Sequence, residues 1–101
     1  MTNYVWLISQ SVVNDYDTYD SAVVIAPTLE AAKRIHPSEY CKGWEEAYGQ
    51  WYGERPDGER YPFDKQCSSW SKPNEVDAIC VGTANPDQSA GTVICASFNA
   101  G

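Results

Sequence analysis

No run of apolar residues in this 101-residue chain is longer than five, and that limit decides much of its architecture. A membrane-spanning helix needs about 20 consecutive apolar residues. Short apolar blocks bounded by turn residues and rich in β-branched or aromatic side chains read as strands. Four such blocks are present: YVWLIS at 4–9, SAVVIA at 21–26, EVDAICVGTA at 75–84 and GTVICASFN at 91–99.

The first two blocks are joined by SVVNDYDTYD, whose Asn and Asp side chains favour turns by bonding to nearby backbone. They are expected to pair as a hairpin with a long acidic connection. Thr28 is placed to cap a helix over TLEAAKRIH, and Pro37 ends it. Residues 40–72 then change character, holding eight of the thirteen aromatic residues and almost no aliphatic ones. Tyr40, Trp44, Tyr48 and Tyr52 recur every four residues, which on a helix makes one aromatic stripe, although Gly43, Gly49 and Gly53 weaken a helix. ERPDGER is a clear breaker, and YPFDKQCSSW reads as ordered loop. The last two strand blocks, joined by NPDQSAG, are expected to form a second hairpin. The chain is thus expected to be one α+β domain over 1–101. A small, mostly antiparallel sheet of two hairpins (β-β-α-insert-β-β) carries one packed helix, with an aromatic-rich insert at about 40–72.

Charge narrows the partners. Seven Lys and Arg against fourteen Asp and Glu give a net charge of −7, and basic residues scattered along an acidic chain make a poor track for a phosphate backbone. Direct nucleic-acid binding and a membrane span are not expected; the acidic surface suits a basic protein partner or, more simply, plain solubility. MTNYVWLISQ lacks the basic segment and long apolar stretch of a signal peptide, so the expected location is the cytoplasm. Cys41, Cys67, Cys80 and Cys95, spaced by 26, 13 and 15, contain no close pair of the kind that organises zinc. Cys80 and Cys95 are expected to be small buried hydrophobes, and Cys41 and Cys67 to be exposed. Neither a metal nor a cofactor is expected.

VWLISQ (5–10), NDYDTYDSAVV (14–24), IHP (35–37), VGTA (81–84) and VICASFNAG (93–101) together resemble a set of short proteins encoded by bacteriophages and prophages. The likeness covers both expected hairpins and the helix, and it implies a genomic setting rather than a mechanism. The stretch from Tyr40 to Phe63 looks like an insertion relative to those proteins.

Catalytic chemistry finds no carrier in the sequence. Asp15, Asp17 and Asp20, with Tyr16 and Tyr19, are the densest constellation, but a calcium loop counted from Asp15 needs Gly and Glu where Asp20 and Ala26 stand. These five residues read as an acidic turn or a docking loop. His36 is the single histidine; it reads as a helix-terminal residue favoured by the dipole, and a pairing with Cys41 lacks an orienting third group. The aromatic segment is the better clue, because Trp and Tyr combine contact area with few rotors. These rings serve equally well as the core of a small domain with few Phe and Leu, and a division of both roles puts Trp44 and Trp70 inside and Trp51, Tyr52 and Tyr61 at the surface.

Three readings follow. In the first, a non-enzymatic phage accessory protein binds and inhibits a host factor, such as a nucleic-acid-binding defence component, in the manner of an anti-CRISPR or similar counter-defence protein. In the second, Trp51, Tyr52 and Tyr61 stack on a nucleotide signal whose phosphate is held by Arg55, Arg60 or Lys65. The third is a virion or assembly component. Sheet edges or the aromatic face would also support a homo-oligomer.

Overall fold

The computed structural model describes residues 2–13, 18–38, 41–62 and 70–99. The two apolar blocks near the start form β1 (Tyr4–Ser9) and β2 (Thr18–Ala26), paired antiparallel with Leu7 opposite Val23 and Ile8 opposite Ala22. Gln10 closes the base of their connection. It is buried, its side-chain amide donates to the Val13 and Tyr19 carbonyls at 2.6 and 2.8 Å, and its carbonyl oxygen accepts from the Val13 N–H at 2.8 Å. Thr18, Tyr19 and Asp20 belong to β2 itself rather than to the loop.

The helix α1 (Leu29–Lys33) starts where expected, with the Thr28 hydroxyl accepting from the Ala31 N–H at 3.1 Å. It ends earlier, at Arg34. Pro37 disfavours helical backbone at His36, and Ile35 already bonds three residues back, to the Ala32 carbonyl.

Most of YPFDKQCSSW lies outside the described residues, and over 43–62 the aromatic segment is neither helix nor loop. It folds as a second antiparallel sheet of β3 (Gly43–Glu45), β4 (Gln50–Glu54) and β5 (Arg60–Pro62). The glycines that weaken a helix serve this sheet. Gly49 at φ +60° and Gly58 at φ +90° turn its two hairpins, and Gly53 lies under the Tyr61 ring, where a Cβ would collide with it. The breaker RPDG is the second turn: the Gly58 N–H donates to the Arg55 carbonyl and the Arg55 N–H to the Glu59 carbonyl, both at 2.8 Å.

After a 3₁₀ turn at Pro73–Glu75, the last two strands are β6 (Asp77–Thr83) and β7 (Val93–Asn99). The α+β class with mostly antiparallel sheets and one helix holds, but these two strands do not form a second hairpin. The order is β6-β1-β2-β7, so they flank the first hairpin at its opposite edges. Their connection crosses the end of that hairpin. The Ala84 N–H donates to the Asn3 carbonyl at 2.9 Å, and the Gly91 N–H to the Ile25 carbonyl at 2.8 Å.

One core joins everything. Ile8, Ala22, Val24 and Ala26 from the large sheet meet Ala32 of α1, Trp51 of β4, Trp70 and Val76. No described helix is long and apolar enough to cross a membrane.

Candidate functional site

The pleat of the small sheet decides what its aromatic residues can do. Directly opposed residues share a face, so the pairs Trp44–Trp51 and Gly53–Tyr61 lie on one side and Gly43–Tyr52, Glu45–Gln50 and Glu54–Arg60 on the other. Trp51, expected at the surface, is only 5% exposed. Its indole N–H donates to the Ser71 carbonyl at 3.1 Å, and Trp44 and His36 meet its ring edge-on, each with centroids 5.1 Å away. Trp70 is buried as expected, and Trp44 is half-buried. Tyr52 and Tyr61 are half-buried and, with Arg60, line one small outer hollow, but the buried Trp51 does not join them.

The arginines are occupied locally. Arg60 sits 4.3 Å from the Tyr52 centroid and pairs with Glu45 at 2.9 Å, and Arg55 lies 5.9 Å from the Tyr61 centroid. The outer-face hollow beside them, lined by Glu45, Tyr48, Gln50 and Tyr52 among others, is about 150 Å³. That is below the roughly 300 Å³ at which ligand pockets begin. The nucleotide constellation is therefore not assembled, and Lys65 lies outside the described residues.

Asp15, Tyr16 and Asp17 also lie outside the described residues. Of their neighbours, Asp20 is exposed, while Tyr19 is half-buried with its ring 6.4 Å from His36, edge-on.

His36 and Cys41 line one cleft of about 410 Å³ with Arg34, Ser38, Lys42 and Gly91. Their protonation states oppose a nucleophilic pair. Burial pushes the imidazole down to about 4 and the Cys41 thiol up to about 11, and the thiol donates to the Gly43 and Tyr52 carbonyls at 3.7 and 3.6 Å. Both groups are neutral near pH 7, whereas a catalytic thiol is activated by a lowered value. Nor is His36 at the helix end to answer its dipole. It is buried beyond α1, and its Nδ1 accepts from the Ser38 N–H at 3.0 Å. The expected cysteine pattern is also inverted: Cys41 is the half-buried one, while Cys80 and Cys95, on the two edge strands, are exposed. Cys67 lies outside the described residues.

The feature the sequence reading missed is the far face of the four-stranded sheet. Ile79, Leu7, Val23 and Cys95 stand opposite one another in a single row across β6, β1, β2 and β7. Ile79 is 60% exposed and Leu7 37%, Cys95 is exposed and Val23 half-buried. The next row is Asp77, Ser9, Ser21 and Ser97, so a polar margin follows the apolar centre. Each edge strand is also bulged. Val81 is the extra residue between the Val5–Gly82 and Trp6–Cys80 pairs, and Ile94 the extra one between Val24–Val93 and Val23–Cys95; they are 56% and 48% exposed. Bulged edges resist strand-to-strand pairing.

A signal for it was present. A sheet with one watered face alternates apolar and polar residues, whereas VWLI, AVVI, AICV and VICA are continuous, as in strands covered on both sides. One short helix covers one side only.

Charge divides along the same line. The basic residues are not scattered: all seven lie between Lys33 and Lys72, where they are matched by seven acids, and the rest of the chain holds seven acids and no base. The whole net charge of −7 thus belongs to the segments that build the four-stranded sheet and its connections. Comparison of the chain with family models, with curated proteins and with solved structures gives no match.

Proposed function

We propose that this protein is a non-enzymatic binding module that docks face-on to a basic protein and blocks it, as a phage accessory factor would block a host component. The observation that carries this reading is the exposed row of Ile79, Leu7, Val23 and Cys95 on segments that contain no Lys or Arg. Fully burying a Leu or Ile side chain contributes about 1.5–3 kcal/mol, so a few residues here supply a hot-spot centre. The acidic surroundings steer a partner of opposite charge and repel a second copy of the same face. The opposed shifts of His36 and Cys41 further support binding over catalysis.

The test is capture of a host protein by the wild type and by the Ile79→Asp variant. Ile79 is largely exposed on an edge strand, so its replacement leaves the core intact. Support requires a basic partner that is held at low salt, released at high salt and lost by the variant. A partner retained equally by both proteins, or a dimer formed through this face, contradicts the reading.

A further inference from the structure

The outer face of the small sheet displays a chemistry of its own. Gly43 leaves room for the Tyr52 ring to lie over the backbone, since a Cβ there would stand 3.3 Å from it. Tyr48, in the turn between β3 and β4, is 78% exposed beside it. The hollow they share with Glu45, Gln50 and Arg60 measures about 150 Å³, room for one side-chain head group. Arg60 rests on the Tyr52 ring at 4.3 Å while one Glu45 oxygen, Oε2, takes its N–H at 2.9 Å. What remains of the lining is the Glu45 carboxylate, engaged at one oxygen only, the Gln50 side-chain amide, the exposed ring of Tyr48, and Tyr61 and Pro62, with the one lining cation already engaged. A planar, donor-rich cation complements that set, because a guanidinium stacks on a ring and forks onto a carboxylate at the same time.

We infer that this hollow is a receptor for a single arginine side chain, seated on Tyr48 and shared between Glu45 and Gln50. The hollow lies on the side of the core opposite the apolar row, so the inference does not rest on the docking reading, and the arginine belongs to a basic chain that reaches the small sheet.

The probe is a capped Gly-Arg-Gly peptide titrated into the ¹⁵N-labelled protein, with Gly-Gln-Gly and Gly-Lys-Gly as controls. Saturable shifts are expected at the Gln50 side-chain amide and along 45–52. Tyr48→Ala, which removes an exposed ring, should weaken binding about threefold to fivefold, and Glu45→Gln about tenfold. Three results overturn the inference: no saturable shift there, the same response to glutamine or lysine, or an affinity unchanged by Tyr48→Ala. Arginine binding here without capture of any basic protein would sink the docking reading alone. Capture that depends on Ile79, with no response to the arginine peptide, would sink this inference alone.

Discussion

The four-stranded sheet fills its inner face with Ile8, Ala22, Val24 and Ala26 and leaves Leu7, Val23, Ile79 and Cys95 on the other. The three-stranded sheet turns Trp44 and Trp51 inward and lays Arg60 over part of its outer face, stacked on Tyr52 and paired to Glu45. The large sheet is assembled from both ends of the chain and carries the net charge. The small one is two local hairpins, balanced in charge over residues 33–72. A two-hairpin sheet of 3-, 5- and 3-residue strands is marginal alone, so it depends on what anchors it. The large sheet, held by long-range pairing, leaves apolar surface exposed.

The anchor gives the largest expected effect. Trp51 is at once the inward residue of β4, a donor to the Ser71 carbonyl and the wall against His36. Trp51→Ala should lower unfolding free energy by about 3–5 kcal/mol in a denaturant titration, and it should release the small sheet before the large one, read as early loss of amide protection over 43–62. Equal loss of protection in both sheets would mean that they are not distinct in their support.

Acid acts on the same junction. The His36 imidazole has its ordinary value of 6.5 in the unfolded chain and about 4 in the folded one, so the unfolded chain binds the proton first. Stability should be complete above pH 6.5 and fall as pH drops toward 4, by up to about 3 kcal/mol. At the other end, the Cys41 thiol, at 9.0 ordinarily and about 11 when folded, should reduce stability as pH rises past 9. His36→Phe should flatten the acid limb; an unchanged limb would assign it to other groups.

A smaller effect is expected at Gly53, where a methyl group meets the Tyr61 ring. Gly53→Ala should cost about 1–3 kcal/mol, and pairing it with Tyr61→Ala should recover much of that. At Thr28, loss of the capping hydroxyl in Thr28→Ala should cost about 1 kcal/mol, with the small sheet unaffected.

The contrast between the sheets also explains what could be read in advance. The strand blocks were legible because Val, Ile and aromatic residues crowd between Pro, Asn, Asp and Gly. Their order was not. NPDQSAG looks like a hairpin turn, yet residues 84–92 are long enough to cross the end of β1 and β2, and nothing in β6 or β7 states which edge each joins. In the insert, a spacing of four among Tyr40, Trp44, Tyr48 and Tyr52 competed with the RPDG turn and three glycines, and the turn chemistry prevailed. The exposure of Cys80 and Cys95 follows from edge positions that only the assembled sheet defines. The open face was written in the unbroken apolar runs, but reading it required knowing that a five-residue helix is the only described one.

Cys80 and Cys95 supply an internal comparison for the docking claim. Both thiols are exposed on edge strands, but Cys95 stands in the row with Val23, Leu7 and Ile79, whereas Cys80 is opposite Trp6 on the other face. The decisive measurement is the alkylation rate of each thiol, by mass spectrometry, in the free protein and in its complex with the captured basic partner. Docking through the open face predicts strong protection of Cys95 with Cys80 still reactive. Cys95 labelled as fast in the complex as in the free protein would contradict it.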